Sequence, residues 1–254
     1  MLGRCRRRVL VCDERRPRNR HSRALHGFLT RDGMAPGELN HLGRLELQRY
    51  GVEVRTVTVN TVTRHEGSFD VRLADGTQER ARFILLATGV VDDLPDVAGL
   101  ADCYGTSVFH CPYCDGWEQR DQPIAVFGRG RSGVQLALSL KTWSPEVTLC
   151  THGTAPATKE RARLASNDVE CITAAITQVV HEDGQIKRLE FREREPLAAR
   201  ALFFTTAQHP RCGLATQLGC RFNRKGTVET SLLGETNVPG IYVAGDASHD
   251  AQFV

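Results

Sequence analysis

Ile124-Ala125-Val126-Phe127-Gly128-Arg129-Gly130-Arg131-Ser132-Gly133-Val134 is the stretch on which the fold turns. Pro123 to Phe127 reads as a buried strand, and Val134 to about Trp143 as an apolar helix. Between them Gly128, Gly130 and Gly133 make G-x-G-x-x-G. A lone pattern of this kind is weak, but directly after a strand and before a helix it points to a dinucleotide. The glycines permit the tight turn, the close approach of a pyrophosphate, and its contact with the helix N-terminus. An ordinary strand-to-helix turn is the alternative. Val147 to Cys150 supplies the next strand of a βαβ unit. An acidic residue about 20 positions on would select the ribose 2′-OH of NAD. Here the strand ends in Cys150, Thr151 and His152, which favours NADPH. Lys159, Arg161 and Arg163 are candidate partners for a 2′-phosphate, or simply a solvated basic face.

Just upstream, Cys111-Pro112-Tyr113-Cys114 spaces two thiols so that they can close a small disulfide. A first Cys at a helix N-terminus would have its thiolate favoured, and a thiolate is the nucleophile in disulfide exchange. The alternative is half a zinc site completed by His110 and Cys103, although no second CxxC or His pair stands at ordinary spacing. Asp115, next in sequence, either serves the dithiol as general acid or base or caps the helix.

Further upstream, Arg8 to Cys12 reads as a short buried strand ending in Asp13, which can hold a ribose hydroxyl. Gly37 to Tyr50 is an amphipathic helix stopped by Gly51. Val52 to Thr63, Phe69 to Leu73 and Ala81 to Ala87 follow as strands, the last running into Thr88 and Gly89. Downstream, Leu189 to Arg211 is sheet and turn, and Gly240 to Ala247 a strand ending in Gly245 and Asp246, another carboxylate able to reach a cofactor hydroxyl. The linker near residues 99–110 sets the expected division: 1–104, 105–230 carrying the CxxC, and 231–254.

Bulk properties narrow the class. A chain of 254 residues with 41% hydrophobic and 25% charged side chains can bury a real core in one or two domains. The net charge of +3 and the arginines crowded before residue 24 raise nucleic acid as a partner. That reading is set aside, because Val9, Leu10, Val11 and Cys12 interrupt the cluster and the whole chain prefers Arg to Lys. No apolar run approaches the roughly 18 residues that cross a bilayer, and no secretory signal is present, so a cytoplasmic protein without a membrane partner is expected. Nine cysteines, with only one pair at a functional spacing, suit a reducing compartment better than a disulfide scaffold.

Phe109-His110-Cys111-Pro112-Tyr113-Cys114-Asp115-Gly116-Trp117-Glu118, followed by the glycine loop and by Val238-Pro239-Gly240-Ile241-Tyr242-Val243-Ala244-Gly245-Asp246-Ala247, resembles the thioredoxin-reductase-like members of the pyridine nucleotide-disulfide oxidoreductases. His26-Gly27-Phe28-Leu29-Thr30-Arg31-Asp32-Gly33 and the Trp117-Glu118 ending are more similar to the branch containing dithiol oxidases that close disulfides in epidithiol natural products. The resemblance implies an α/β fold with two Rossmann-like domains, the FAD domain assembled from the two ends of the chain and flanking an NADPH domain that carries the dithiol. It implies that Asp13 contacts the FAD adenosine ribose, that Thr88 and Gly89 lie beside the flavin nucleotide, and that Asp246 meets the ribitol. Ala251 and Gln252 would approach the isoalloxazine, Cys114 would face the flavin and Cys111 the substrate.

Electrons would then run from NADPH through FAD to Cys111–Cys114 and on to a thioredoxin-like protein or a small disulfide, with a homodimer as the full-length form. In the dithiol-oxidase alternative they run from a small dithiol through flavin to oxygen. A third alternative is a non-catalytic nucleotide-binding fragment. Relative to the family the chain starts after the first glycine loop and stops before a final helix, so an incomplete FAD domain, truncated at both ends, is expected. The family's His-Arg-Arg type signature after the second strand is replaced by Cys150-Thr151-His152-Gly153.

Overall fold

A computed structural model of the chain describes residues 1–248. It contains two compact units: Met1–Arg20, Pro36–Asp92 and the described residues from Gln208 to Ser248 form one, and His21–Ala35 with Asp93–Ala207 the other. The expected return to the first unit at residue 231 comes earlier, at Gln208. The reason is packing: Leu214, Ala215, Cys220 and Val228 share a core with Val238, Ile241 and Val243. The first unit also breaks off between Arg20 and Pro36, an excursion with no counterpart in the expected division.

The second unit is built on a parallel sheet in the order Glu170–Ile172, Val147–Cys150, Ile124–Phe127, Ala201–Phe204, Val108–Phe109. Parallel sheets are covered on both faces, so their strands read as continuous apolar runs. Ala201-Leu202-Phe203-Phe204 is such a run, and all four side chains are buried. The two-residue period of a strand sends them to opposite sides. Ala125, Leu202 and Phe204 meet Leu100, Ile186 and Leu189, whereas Ile124, Val126, Ala201 and Phe203 meet Val134, Ala137, Leu140 and Leu164.

One face is therefore covered by the helix Gly130–Leu140. Its buried residues Gly133, Val134, Ala137 and Leu140 fall at helical spacing, and Val134 and Leu140 each stabilise by about 1.5–3 kcal/mol. The other face is covered by an antiparallel sheet of Ile176–Glu182, Gln185–Phe191 and Arg194–Ala198. The helix starts at Gly130, four residues before the sequence expectation, so the glycine loop includes its first turn.

In the first unit Leu10–Cys12 pairs in parallel with Glu53–Arg55, and Ile84–Leu86 with Ile241–Val243; Val59–His65, Ser68–Leu73 and Gln78–Ala81 form an antiparallel sheet. Two expected strands are each broken in two. Val52 to Thr63 splits because Glu53–Arg55 and Val59–His65 serve different sheets, and Ala81 to Ala87 splits because the chain changes sheet at Arg82 and Phe83. The helix Pro36–Arg49 matches its expected place within a residue at each end. Gly240 turns at φ +87°, where a Cβ would come within 2.9 Å of the Phe69 ring. No helix among the described residues is long and apolar enough to cross a membrane.

Candidate active site and nucleotide sites

Cys111 and Cys114 are joined in a disulfide with Cα atoms 5.3 Å apart. Cys111 is the extended residue before a single helical turn, Pro112–Asp115, whose first helical position is the proline. Proline suits that position because its missing N–H has no intrahelical partner to lose. The Cys114 and Asp115 N–H groups both donate to the Cys111 carbonyl at 3.3 Å. Gly116 ends the turn against Trp143: a Cβ there would lie 2.4 Å from the Pro112 carbonyl oxygen and 2.8 Å from the indole. Tyr113 meets Trp143 edge to face, and the exposed Trp117 carries the Arg120 guanidinium 4.4 Å above its ring.

Asp115 is the last residue of the turn, so it does not cap the helix N-terminus; that alternative falls away. Burial pushes its carboxyl up to about 7, the nearby Glu118 charge adds to the shift and His26 works against it. His26 arrives on the His21–Ala35 excursion, with Nδ1 3.5 Å from Asp32 and 3.6 Å from Glu118. Gly105, at φ +78°, allows the excursion to begin close by, since a Cβ there would lie 2.5 Å from the His21 carbonyl carbon. Among the described residues no three His, Cys, Asp or Glu side chains gather as a metal site.

The glycine loop lies in the same unit. A Cβ on Gly128 would be 2.7 Å from the Gly133 Cα, and one on Gly133 would be 2.5 Å from the Gly128 carbonyl carbon, so the loop crosses itself too tightly for any side chain at either position. Gly130, at φ +54°, faces open space. Arg129 gives the following helix no side-chain cap, which leaves its first-turn N–H groups for an anion. A cleft of about 390 Å³ opens here, lined by Gly128, Arg129, Ser132, His152, Thr205 and their neighbours Pro95, Asp96 and Phe127. These features fit a dinucleotide pyrophosphate.

In the first unit Asp13 follows its strand, accepts the Arg15 N–H at 2.9 Å and pairs with Arg44. Thr88-Gly89 and Gly245-Asp246 follow neighbouring parallel strands, and the Ala244 N–H donates to the Leu86 carbonyl at 3.0 Å. Gly89 and Gly245 both have positive φ, 65° and 70°, and a Cβ on either would meet nothing within 4 Å. Open space over two strand ends with an adjacent carboxylate is what a nucleotide needs. Ala251 and Gln252 lie outside the described residues.

Arg18, one of the arginines crowded before residue 24, is absent from the expected site residues. Its guanidinium pairs with the almost fully buried Asp92 and donates Nη1 to Asp246 at 2.9 Å. Burial works against its charge, but the hydrogen bonds to Asp92 and Asp246 more than compensate and raise its pKa. The Pro17-Arg18-Asn19 turn beside a strand-end acid was the available signal.

The chain matches the model of the family described as pyridine nucleotide-disulphide oxidoreductase over residues 3–253. Among curated proteins it is 29% identical over 286 residues to the "Probable thioredoxin reductase" of Arthroderma benhamiae, covering 98% of this chain and 70% of that one. Among solved structures it resembles HlmI, with a TM-score of 0.91 and 37% identity over 97% of this chain and 79% of that one. An oxidoreductase from Agrobacterium tumefaciens gives a TM-score of 0.92 at 31% identity, over 99% and 85% of the two chains. With a tied Cys111–Cys114 disulfide, a partly buried carboxyl beside it and a G-x-G-x-x-G loop in one unit, the chain belongs to the pyridine nucleotide-disulphide oxidoreductase family as a thioredoxin-reductase-like enzyme.

Proposed function

We propose that the chain passes electrons from NADPH by way of FAD to the Cys111–Cys114 disulfide, and from there to an external disulfide on a small thioredoxin-like protein. The observation that carries the reading is the disulfide itself, on a single helical turn whose last residue is a carboxyl titrating near neutrality. Bound FAD supplies a two-electron relay between a nicotinamide and this disulfide. In the first unit Asp13, Thr88, Gly89, Gly245 and Asp246 would hold it; in the second, Gly128, Gly130 and Gly133 would hold the nicotinamide dinucleotide.

The chain's own residues then do the following. Two electrons break the Cys111–Cys114 S–S bond and leave one thiolate and, with one proton, one thiol. Asp115, with its carboxyl near pH 7, holds that proton or takes it away at the pH of use. The freed Cys111 thiolate attacks an external disulfide and expels one of its sulfurs as a thiolate, which takes up a proton. Cys114, once deprotonated, attacks Cys111 in the mixed disulfide, re-forms the S–S bond and releases the second sulfur reduced. Trp143 packs against this turn at Gly116 and helps hold it in place. Seven further cysteines are free, which suits a reducing cytoplasm. A homodimer is part of the same reading.

The test is the visible spectrum of the chain supplied with FAD, followed by anaerobic NADPH and then a thioredoxin-like disulfide. Bound flavin that bleaches with NADPH and recovers with the disulfide is the expected outcome. Flavin that bleaches only with a small dithiol and recovers with oxygen would move the assignment to a dithiol oxidase. A chain that takes up no flavin is a fragment without turnover.

A further inference from the structure

The strand that follows the glycine-loop helix ends at Cys150 with no carboxylate to receive a ribose diol, yet that end is not electrically neutral. Arg129, the second residue of the glycine loop, folds back on it. Its Nε donates to the Thr151 carbonyl at 3.3 Å and its Nη2 to the His152 carbonyl at 3.0 Å. These bonds fix the guanidinium in place without neutralising it, and no carboxylate pairs with Arg129 among the described residues. The remaining Nη group and the full positive charge are left at the wall of the cleft.

His152 forms the neighbouring wall. Its ring packs on Phe127 with centroids 5.3 Å apart, and its Nδ1 accepts the Ile176 N–H at 3.2 Å, which places the proton of the neutral ring on Nε2. Burial holds its pKa below the ordinary value, and the charges of Arg129 and Arg192 push the same way, so the local field at this strand end is positive. Asp96 is the single acid in the cleft lining. Lys159, Arg161 and Arg163 stand exposed on or beside the helix Thr158–Ala165, and none of them lines the cleft.

We propose that Arg129, held by the glycine loop against the Thr151 and His152 carbonyls, selects the 2′-phosphorylated form of the nicotinamide dinucleotide. The inference rests on the nicotinamide-dinucleotide part of the function proposed above. In dinucleotide folds an acid at the end of this strand takes the 2′-hydroxyl and a nearby Arg the 2′-phosphate. Here the acid is missing, and the Arg comes from the glycine loop rather than from the strand end. A guanidinium is suited to the task because its planar fork and permanent charge match a phosphate dianion.

The experiment is calorimetric titration of the full chain with 2′,5′-ADP and with 5′-ADP, in the native protein and in Arg129→Gln, Arg129→Lys and Arg192→Gln. The native chain is expected to bind 2′,5′-ADP about tenfold or more tightly than 5′-ADP. Arg129→Gln should lose about 10- to 100-fold on 2′,5′-ADP while 5′-ADP changes less than about threefold, which also reports that the loop has folded. Arg129→Lys should fall between, and Arg192→Gln should move the ratio by less than about threefold. An Arg129→Gln protein that keeps the preference, or a preference lost only in Arg192→Gln, overturns the proposal. A native chain that binds both nucleotides equally overturns the selection but leaves nicotinamide-dinucleotide binding standing. One that binds neither overturns both.

Discussion

Two sets of strand ends in this chain carry different charged side chains. In the first unit the acids come at the ends of strands: Asp13 after Leu10–Cys12 and Asp246 after Ile241–Val243, with arginines, Arg44 and Arg18, brought to them from elsewhere. In the second unit the strand Val147–Cys150 ends without an acid, and Arg129 is pinned to the Thr151 and His152 carbonyls just beyond it. A carboxylate accepts hydrogen bonds from hydroxyls, whereas a guanidinium donates to phosphate. On the proposed reading, two units of related design receive differently decorated nucleotides, and one charge at a strand end makes the choice. The two arginines also differ in surroundings. Arg18 is mostly buried between two acids, while Arg129 is exposed and makes no ion pair among the described residues.

The largest effect is expected at the disulfide. Cys111→Ser and Cys114→Ser should each reduce disulfide turnover by a factor of about 1000 or more, because the two-step exchange needs both sulfurs. Flavin content and nucleotide binding should be retained, as absorbance and titration will show; loss of flavin in either variant would mean that the dithiol is part of the cofactor's hold.

Next comes the buried arginine. Arg18→Gln removes a charge partner from Asp92 and Asp246 at once and should destabilise the fold by about 2–4 kcal/mol. Thermal unfolding should detect it as a loss of several degrees, together with weaker FAD binding. Arg129→Gln, in the same assay, should cost less than about 1 kcal/mol. Equal losses would erase the difference drawn between the two arginines.

Asp115→Asn should lower turnover by about 10- to 100-fold and remove a titration near pH 7 from the pH–rate profile. The linked stability effect has a definite sign. The folded-state pKa is raised, so the native protein binds more protons than the unfolded chain between about pH 4 and 7 and loses stability as the pH rises through that window. The Asn variant should show no such fall, and unfolding in denaturant at pH 5 and pH 8 will compare them.

The smallest effect distinguishes glycines within one loop. Gly130→Ala meets only backbone strain at φ +54° and should cost about 1 kcal/mol. Gly133→Ala drives a Cβ into the Gly128 backbone and should cost more than about 2 kcal/mol.

The sequence by itself determined the α/β class, the G-x-G-x-x-G between a strand and a helix, and the Cys111–Cys114 pair. These are legible because they depend on local spacing: the two-residue period of a buried strand, the turn chemistry of glycine, and two sulfurs three residues apart. A helix after the glycine loop, expected from Val134 and found from Gly130, and the strand Val147–Cys150 were readable for the same reason. Tertiary structure alone decided that Val52 to Thr63 and Ala81 to Ala87 are each divided, since a strand's partner, not its composition, sets where it ends. It alone took His21–Ala35 out of the first unit and brought His26 to Glu118. It also separated the arginines. Arg18, Arg129 and Arg161 carry the same side chain and look alike in a basic sequence. Burial, fixed carbonyl partners and distance from a cleft are properties of place, and only the folded chain assigns places.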